Sequence, residues 1–345
     1  MLSSRTSAAE WGLTGMALLF LCWAGVCCRG GSKPAQQKVC LYTSVDQTLA
    51  EPIIAEFEKQ TGIKVVARFD AEADKTVGLV QRLRSERARP YADVFWSNEV
   101  FYMIQLAREG LLEGYVSEET KDWRKRFADP QGRWHGFCLR ARVIAYNTRR
   151  VTPEEAPKRL EDLLQEKWKD RIAMARPQFG TTGGCVSSWF VHYGQQRAEQ
   201  ILSGLKANRI QVLPSNSQAV RAVADGRADV CLTDTDDVYA AQRNGWPVAR
   251  NFLSLGEAGA LAIPNTVALV KGGPNPTEAR RLVAFLLSEQ VEEMRVRSES
   301  HNTPVRASLA QRFPQYAIPK PLDVDYEKVA DALSSAIPKA REILR

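Results

Sequence analysis

From residue 38 onward, short apolar strands alternate with amphipathic helices, and that alternation restricts the chain to an α/β fold built on largely parallel strands. Lys38-Val-Cys-Leu-Tyr-Thr43 reads as a strand, 47–60 as a helix closed by Thr61-Gly62, and Ile63-Lys-Val-Val-Ala-Arg-Phe69 as the next strand. A strand, a crossover helix and a second strand make one βαβ unit. The alternation continues with a helix over 75–88, a buried strand at Ala92-Asp-Val-Phe-Trp96 and a helix over 100–110 stopped by Gly110. Gly132-Arg-Trp-His-Gly136 is a turn, and the extended run 137–146 behind it is long enough to cross from one lobe into another.

A second α/β set follows, with helices expected at 160–167, 186–193, 198–208 and 220–225 and strands at 171–175 and in the run ending at Asp234. The chain returns through strands expected over 252–262 and 266–270, bounded by Gly256 and Pro264, and finishes with helices over 277–299 and 324–344. This order predicts one lobe from 38–138 plus 252–275, a second from 139–251, and C-terminal helices over 276–345 packing on the lobes.

Residues 1–30 read as a secretory signal peptide: Arg5 precedes an apolar middle from Gly12 to Val26, and the polar stretch Arg29-Gly-Gly-Ser-Lys-Pro34 follows. The apolar run is short for a spanning helix, which needs roughly 20 apolar residues. Cys27 or Cys28 is a candidate for lipid attachment in a lipoprotein signal, although Val26 is bulkier than the small residue such a site favours. The mature chain is therefore expected outside the cytoplasm, periplasmic and either free or lipid-anchored. The net charge of +7 falls to about +5 once Arg5, Arg29, Lys33 and Glu10 are set aside. Basic residues are interspersed with acidic ones, with no recognition motif, so nucleic acid is not an expected partner. Cys40, Cys138, Cys185 and Cys231 are too widely spaced for a disulfide scaffold or zinc knuckle and read as small core residues, and the spacing selects no pairing among them.

One segment carries unusual chemistry. Arg227-Ala-Asp-Val-Cys-Leu-Thr-Asp-Thr-Asp-Asp237 runs an apolar strand into Asp234, Asp236 and Asp237. Carboxylates this close repel, so such a cluster is either solvated at a helix start or neutralised by a cation. Gly180-Thr-Thr-Gly-Gly184 is placed just ahead of a helix, where free backbone N–H groups suit an anion. Arg140 and Arg142 alternate on one strand, so both guanidinium groups point to the same side, and either can grip an oxyanion or pair with a cleft carboxylate.

Several ordered segments resemble one family. Leu41-Tyr-Thr-Ser-Val-Asp46, Thr61-Gly-Ile-Lys-Val65, Ala92-Asp-Val-Phe-Trp-Ser97, Arg140-Ala-Arg-Val-Ile-Ala-Tyr-Asn147, Asn216-Ser-Gln-Ala-Val220 and Gly259-Ala-Leu261 are similar, in order and spacing, to the bacterial extracellular solute-binding proteins of the ferric-iron-binding class. These are the soluble receptors of ABC importers. The resemblance implies a two-lobed periplasmic-binding-protein fold with crossing strands and an interlobe cleft. It further implies capture of Fe(III), or a similar hard cation, with a synergistic anion, and delivery to a permease in the inner membrane, the receptor itself being a monomer.

The family's ligand positions are only partly kept. The first falls on Asp46, the glutamate position falls on Asn98 with Glu99 next, and the tyrosine pair falls on Thr235 and Asp236. Phenolate is a strong hard donor favouring Fe(III), whereas carboxylates serve many hard cations. Asp46, Glu99, Asp234, Asp236 and Asp237 are the expected metal ligands. Thr181, Thr182, Gly183 and Asn216 match the anion-holding segments, with Arg140 and Arg142 beside them. Tyr42, Tyr239, His135 and His192 read as structural. Asp236→Ala is expected to weaken metal binding without lowering apo stability. The alternative within the same cleft is a receptor for a small oxyanion such as an aminophosphonate, carboxylate or sulfur oxyacid, with the aspartates reading an amine. An enzyme is not expected, since no H-E-x-x-H, G-K-[ST] phosphate loop, G-x-S-x-G elbow or dinucleotide fingerprint occurs, although paired carboxylates can serve hydrolysis.

Overall fold

The strand pattern at the start of the chain is realised directly. In the computed structural model, which describes residues 36–70, 76–116, 118–120, 123, 125–178 and 180–345, β1 (Lys38–Thr43) is buried from its second residue onward. A strand covered on both faces needs this continuous apolar run. The leader at 1–30 with Cys27 and Cys28, and Lys75 at the expected start of a helix, lie outside the described residues. Among the described residues, no helix is long and apolar enough to cross a membrane.

The chain then forms α1 (Gln47–Thr61), β2 (Lys64–Phe69), α2 (Val77–Ser85), β3 (Val94–Ser97), α3 (Phe101–Arg108), β4 (Leu112–Glu113) and the long β5 (His135–Asn147). A second set comprises β6 (Ile172–Ala175), α4 (Gly180–Tyr193), α5 (Gln195–Ala207), β7 (Gln211–Leu213), α6 (Asn216–Ala224), β8 (Val230–Asp234), α7 (Thr235–Arg243) and β9 (Val248–Phe252). The return strand β10 (Ala262–Val270) leads to α8 (Pro276–Leu286), α9 (Glu289–Arg297), α10 (Ala307–Arg312) and α11 (Tyr326–Leu344).

The strand order β2-β1-β3-β10-β5-β8-β6-β7 shows how two lobes arise from one sheet. β1, β2 and β3 are mutually parallel, and β10 closes them antiparallel. The first part of β5 pairs with β10, from His135↔Val267 to Ala141↔Ala262. Its remainder pairs with β8 and β9, through Arg142↔Asp234 and Asn147↔Val248. Every residue of β5 is buried, so one strand forms the spine of both halves, and β8, β6 and β7 continue the second half in parallel. Phe57, Trp96, Phe137 and Leu286 belong to one core, Trp168, Trp189 and Leu202 to another. α11 packs on α3, α4 and α5 and thereby spans both halves.

Three expectations need correction, and one strand was not anticipated. The strand expected over 252–262 is a loop, because Gly256 and Gly259 adopt φ of 55° and 108°, outside extended geometry. Gly259 also lies against the Lys320 backbone, where a Cβ would overlap the carbonyl oxygen, and the Ala260 amide donates to that oxygen at 2.9 Å. β9 precedes this loop and was not anticipated. The helix expected over 160–167 is two short 3₁₀ turns, Leu160–Leu164 and Glu166–Trp168, separated by an extended Gln165. The helix expected over 277–299 divides into α8 and α9, where Ser288 leaves helical geometry and its hydroxyl accepts from the Val291 amide at 3.3 Å. The four cysteines Cys40, Cys138, Cys185 and Cys231 are buried free thiols.

Candidate functional site

The cleft residues come from strand ends and helix starts, which is where an open α/β sheet presents its loops. From the first half come Asp46, at the head of α1, and Asn98, just after β3. The second half supplies Ala175 and Arg176 after β6, Gly180, Thr181 and Thr182 in the first turn of α4, and Pro214, Ser215 and Asn216 at the head of α6. Asp234, Asp236 and Asp237 head α7, and Arg140 projects from β5 between the two sides. Together these residues line a cavity of about 50 Å³, space for a small ion with a few waters rather than a sugar or peptide.

Within this cavity, charge is paired in two layers. The deeper layer is sealed: Arg142 and Asp234 are each 1% exposed and meet at 2.8 Å across the β5–β8 register. Arg142 also donates to Thr181 Oγ1 at 3.2 Å, and the Thr181 hydroxyl donates in turn to Asp234 Oδ2. Asn216 Nδ2 donates to the same oxygen at 3.0 Å, and Thr182 donates to Asn216 Oδ1 at 3.1 Å, which fixes the amide. The upper layer is Arg140 against Asp236 at 2.9 Å, with Arg140 Nη2 also donating to Asn265 at 3.2 Å. Burial pushes the Asp236 carboxyl up, Asp234 and Asp46 add to the rise, and Arg140 opposes it. Burial alone would lower Arg140, but Asp236 and its neighbouring carboxylates outweigh that and hold the guanidinium above its ordinary value. The buried Asp236 Oδ1 has no hydrogen-bond partner among the described residues.

The expected ligands therefore separate. Asp234, Asp236 and Asp237 can offer oxygens all within 4.8 Å of one another, and Asp46 faces the same cavity from the opposite wall. Glu99 does not line the cavity. Its Oε2 accepts from the amides of Phe101 at 2.6 Å and Tyr102 at 3.2 Å, so it caps α3, and burial pushes its carboxyl up to about 7. Asp237 Oδ2 accepts from the Asp234 amide at 3.2 Å and from the Thr233 hydroxyl at 2.7 Å, a reach-back contact at the start of α7.

On the anion side, Gly180-Thr-Thr-Gly-Gly184 is not ahead of a helix but forms the first turn of α4. Thr181 and Thr182 line the cavity, whereas Gly183 faces away: a Cβ there would meet the Pro177 carbonyl at 2.9 Å and Ile337 of α11 at 3.2 Å. Arg142 sits behind the cavity wall as the partner of Asp234. Arg176 and Ser215 were missed by sequence reading, and their positions just past β6 and just before α6 were the available signal. Tyr42 donates to Glu86 at 2.9 Å, Tyr239 accepts from Arg250 at 2.5 Å and His192 sits edge-on to Tyr193 at 4.6 Å, none of them lining the cavity.

The chain is similar in sequence and fold to several known proteins. The family model described as bacterial extracellular solute-binding protein matches residues 89–328. The iron uptake protein A1 of Synechocystis is 28% identical over 297 residues, covering 82% of this chain and 76% of that protein. A putative 2-aminoethylphosphonate-binding periplasmic protein of Salmonella typhimurium is 28% identical over 268 residues, covering 75% of each. The crystal structure of iron-bound HitA from Pseudomonas aeruginosa superposes with a TM-score of 0.78 at 27% identity, covering 89% of this chain and 99% of that one.

Proposed function

We propose, for a chain that belongs to the family of bacterial extracellular solute-binding proteins, that the cleft captures a hard cation of the Fe(III) kind together with a small anion and hands it to an ABC permease. The chain is a binding protein and not an enzyme. The observation that carries the reading is the buried, unpartnered Asp236 Oδ1 among three further carboxylates in a cavity of single-ion size. Asp46, Asp236 and Asp237 are the proposed oxygen donors, with Asp234, paired to Arg142, adding negative charge behind them, and hard oxygen ligands suit a hard cation. The first turn of α4 is the proposed seat of the anion, beside Thr181, Thr182 and Asn216, because the N–H groups at a helix start lie outside the helix's own hydrogen-bond ladder. We further propose a monomeric mature protein outside the cytoplasm, with the leader removed or lipid-modified at Cys27 or Cys28.

The test is thermal stability of chelator-stripped protein against Fe(III), divalent ions and oxyanions, singly and paired, because a ligand specific to the folded state must raise the melting temperature. A rise with Fe(III), strengthened by an anion, supports the reading. A second reading has its own observation: Asp236 already holds an organic nitrogen cation, Arg140, as it would hold the ammonium of an aminophosphonate. A rise with 2-aminoethylphosphonate alone, in metal-free buffer, selects that reading instead.

A further inference from the structure

The arginines at the cleft differ in what already faces them. Arg142 is paired with Asp234 at 2.8 Å and Arg140 with Asp236 at 2.9 Å. Arg176 lines the same cavity as Asp236, is exposed, and has no ion-pair partner among the described residues. Its backbone is nonetheless fixed. The Arg176 amide donates to the Leu213 carbonyl at 2.8 Å where the pairing of β6 with β7 ends, and the following Pro177 favours extended geometry at Arg176. Pro177 in turn packs on the first turn of α4, since its carbonyl oxygen would lie only 2.9 Å from a Cβ at Gly183. The bare Gly183 thus lets the segment that carries Arg176 close on the turn that carries Thr181 and Thr182.

This placement offers an oxyanion two sources of positive potential that owe nothing to a bound cation. A helix head carries roughly half a positive charge. An arginine carries a full one, in a planar fork of N–H donors that matches two oxygens of a single carboxylate or phosphate. Arg140 and Arg142 face their own aspartates, which cancel much of their field at the ligand, whereas Arg176 keeps its charge for whatever enters. In the same cavity the buried Asp236 Oδ1 has no hydrogen-bond partner among the described residues, so an acceptor and a cation both wait there for a ligand.

We propose that Arg176 is the anion-selecting residue of the cleft: its guanidinium fork binds the oxyanion directly and gives the cleft an affinity for oxyanions that does not wait for a cation. The proposal rests on the reading that the cleft takes an oxyanion, either beside a hard cation or as part of an aminophosphonate. Selection follows from the number of oxygens. A phosphate or phosphonate meets the fork with two and keeps a third for the head of α4, which a carboxylate, with two in all, cannot do.

Calorimetric titration of chelator-stripped wild type, Arg176→Gln and Arg176→Lys with inorganic phosphate and with acetate tests this. Arg176 is exposed, so neither substitution removes a core contact. Wild type should bind phosphate without metal, and at least tenfold more tightly than acetate. Arg176→Gln should weaken phosphate about tenfold, as loss of a charged hydrogen-bond partner does, and should make the fall of affinity with added sodium chloride shallower, because one of the attracting charges is gone. Arg176→Lys keeps the charge without the fork and should retain the wild-type salt dependence while recovering part of the affinity. Unchanged phosphate affinity in Arg176→Gln, a loss with unchanged salt dependence, or equal binding of phosphate and acetate by wild type would overturn the proposal and leave the oxyanion reading standing. So would a wild type whose melting temperature rises with Fe(III) and phosphate together but which binds no phosphate alone, since the anion would then wait for the cation. A wild type that responds to none of phosphate, 2-aminoethylphosphonate and Fe(III) would sink the reading and the proposal together.

Discussion

At Asp236 the structure reverses an expectation drawn from sequence alone. Read as a metal ligand in the cleft, it is replaceable by alanine without harm to the apo protein, but its carboxylate is the direct counter-ion of the buried Arg140. Removing one partner of a buried pair costs about 3 kcal/mol or more, because the other charge is left uncompensated. Asp236→Ala should therefore lower apo stability by about 3 kcal/mol in urea titrations and weaken cation binding at least tenfold. Unchanged apo stability would mean that Asp234, Asp46 and Asp237 suffice to hold Arg140. His135 carries a different kind of test. Burial lowers its pKa from 6.5 to about 4, so the folded state resists protonation that the unfolded chain accepts. Its contribution is present above pH 6.5 and is lost as pH falls towards 4, by about 3 kcal/mol in all. The stability advantage of wild type over His135→Gln should shrink by that amount between pH 7 and pH 4; a difference independent of pH would remove His135 as the cause.

Among elements, helix heads build the site. α4, α6 and α7 each begin at the cleft, so their positive dipole ends face the same small cavity, with Ser215 and Asp234 capping the heads of α6 and α7. This explains how Asp234 and Asp237 are tolerated at one helix start, since carboxylates there are stabilised rather than merely crowded. α4 owes its closeness to α3 to Gly184, whose Cβ position is already filled by the ring edge of Phe101. Phe101 cannot give way easily, because it packs edge-on to Tyr326 of α11 at 6.1 Å. Gly184→Ala should cost about 1–3 kcal/mol through overpacking and should separate α3 from α4. Ligand affinity should drop with it, since α4 carries Thr181 and Thr182. A variant with wild-type melting temperature and affinity would show that α11 absorbs the extra methyl group.

For the whole molecule, the decisive feature is that β5 belongs to both halves of the sheet. Its pairing with β10 on one stretch and with β8 and β9 on the next leaves neither half a complete sheet without it, and α11 ties α3 to α4 and α5 from outside. Thermal unfolding of the mature apo chain should accordingly be one cooperative transition, with calorimetric and van't Hoff enthalpies in agreement. Two resolved transitions would mean that the halves unfold separately despite the shared strand.

The strand–helix alternation and the extended character of 137–146 were legible in the chain because period and hydrophobicity are local properties. The same holds for the cluster Asp234, Asp236 and Asp237 and for Thr181 and Thr182 near a helix start, whereas Asp46 and Asn216 were reached only through the resemblance to a known family. Local pattern did not reveal that residues 180–184 are already helical, that 252–262 bends at two glycines, or that Glu99 turns inward to cap α3. Each of those depends on a neighbour distant in sequence or on a backbone angle that hydrophobic period does not encode. Partner choice was likewise beyond the sequence: alternation placed Arg140 and Arg142 on one side of a strand, but only tertiary packing set Arg142 against Asp234, bonded at both oxygens, and Arg140 against Asp236, whose second oxygen has no partner among the described residues. Sequence determines which charges lie near the cleft, and the fold decides which of them are already neutralised, because pairing at about 3 Å depends on how strands from distant parts of the chain come into register.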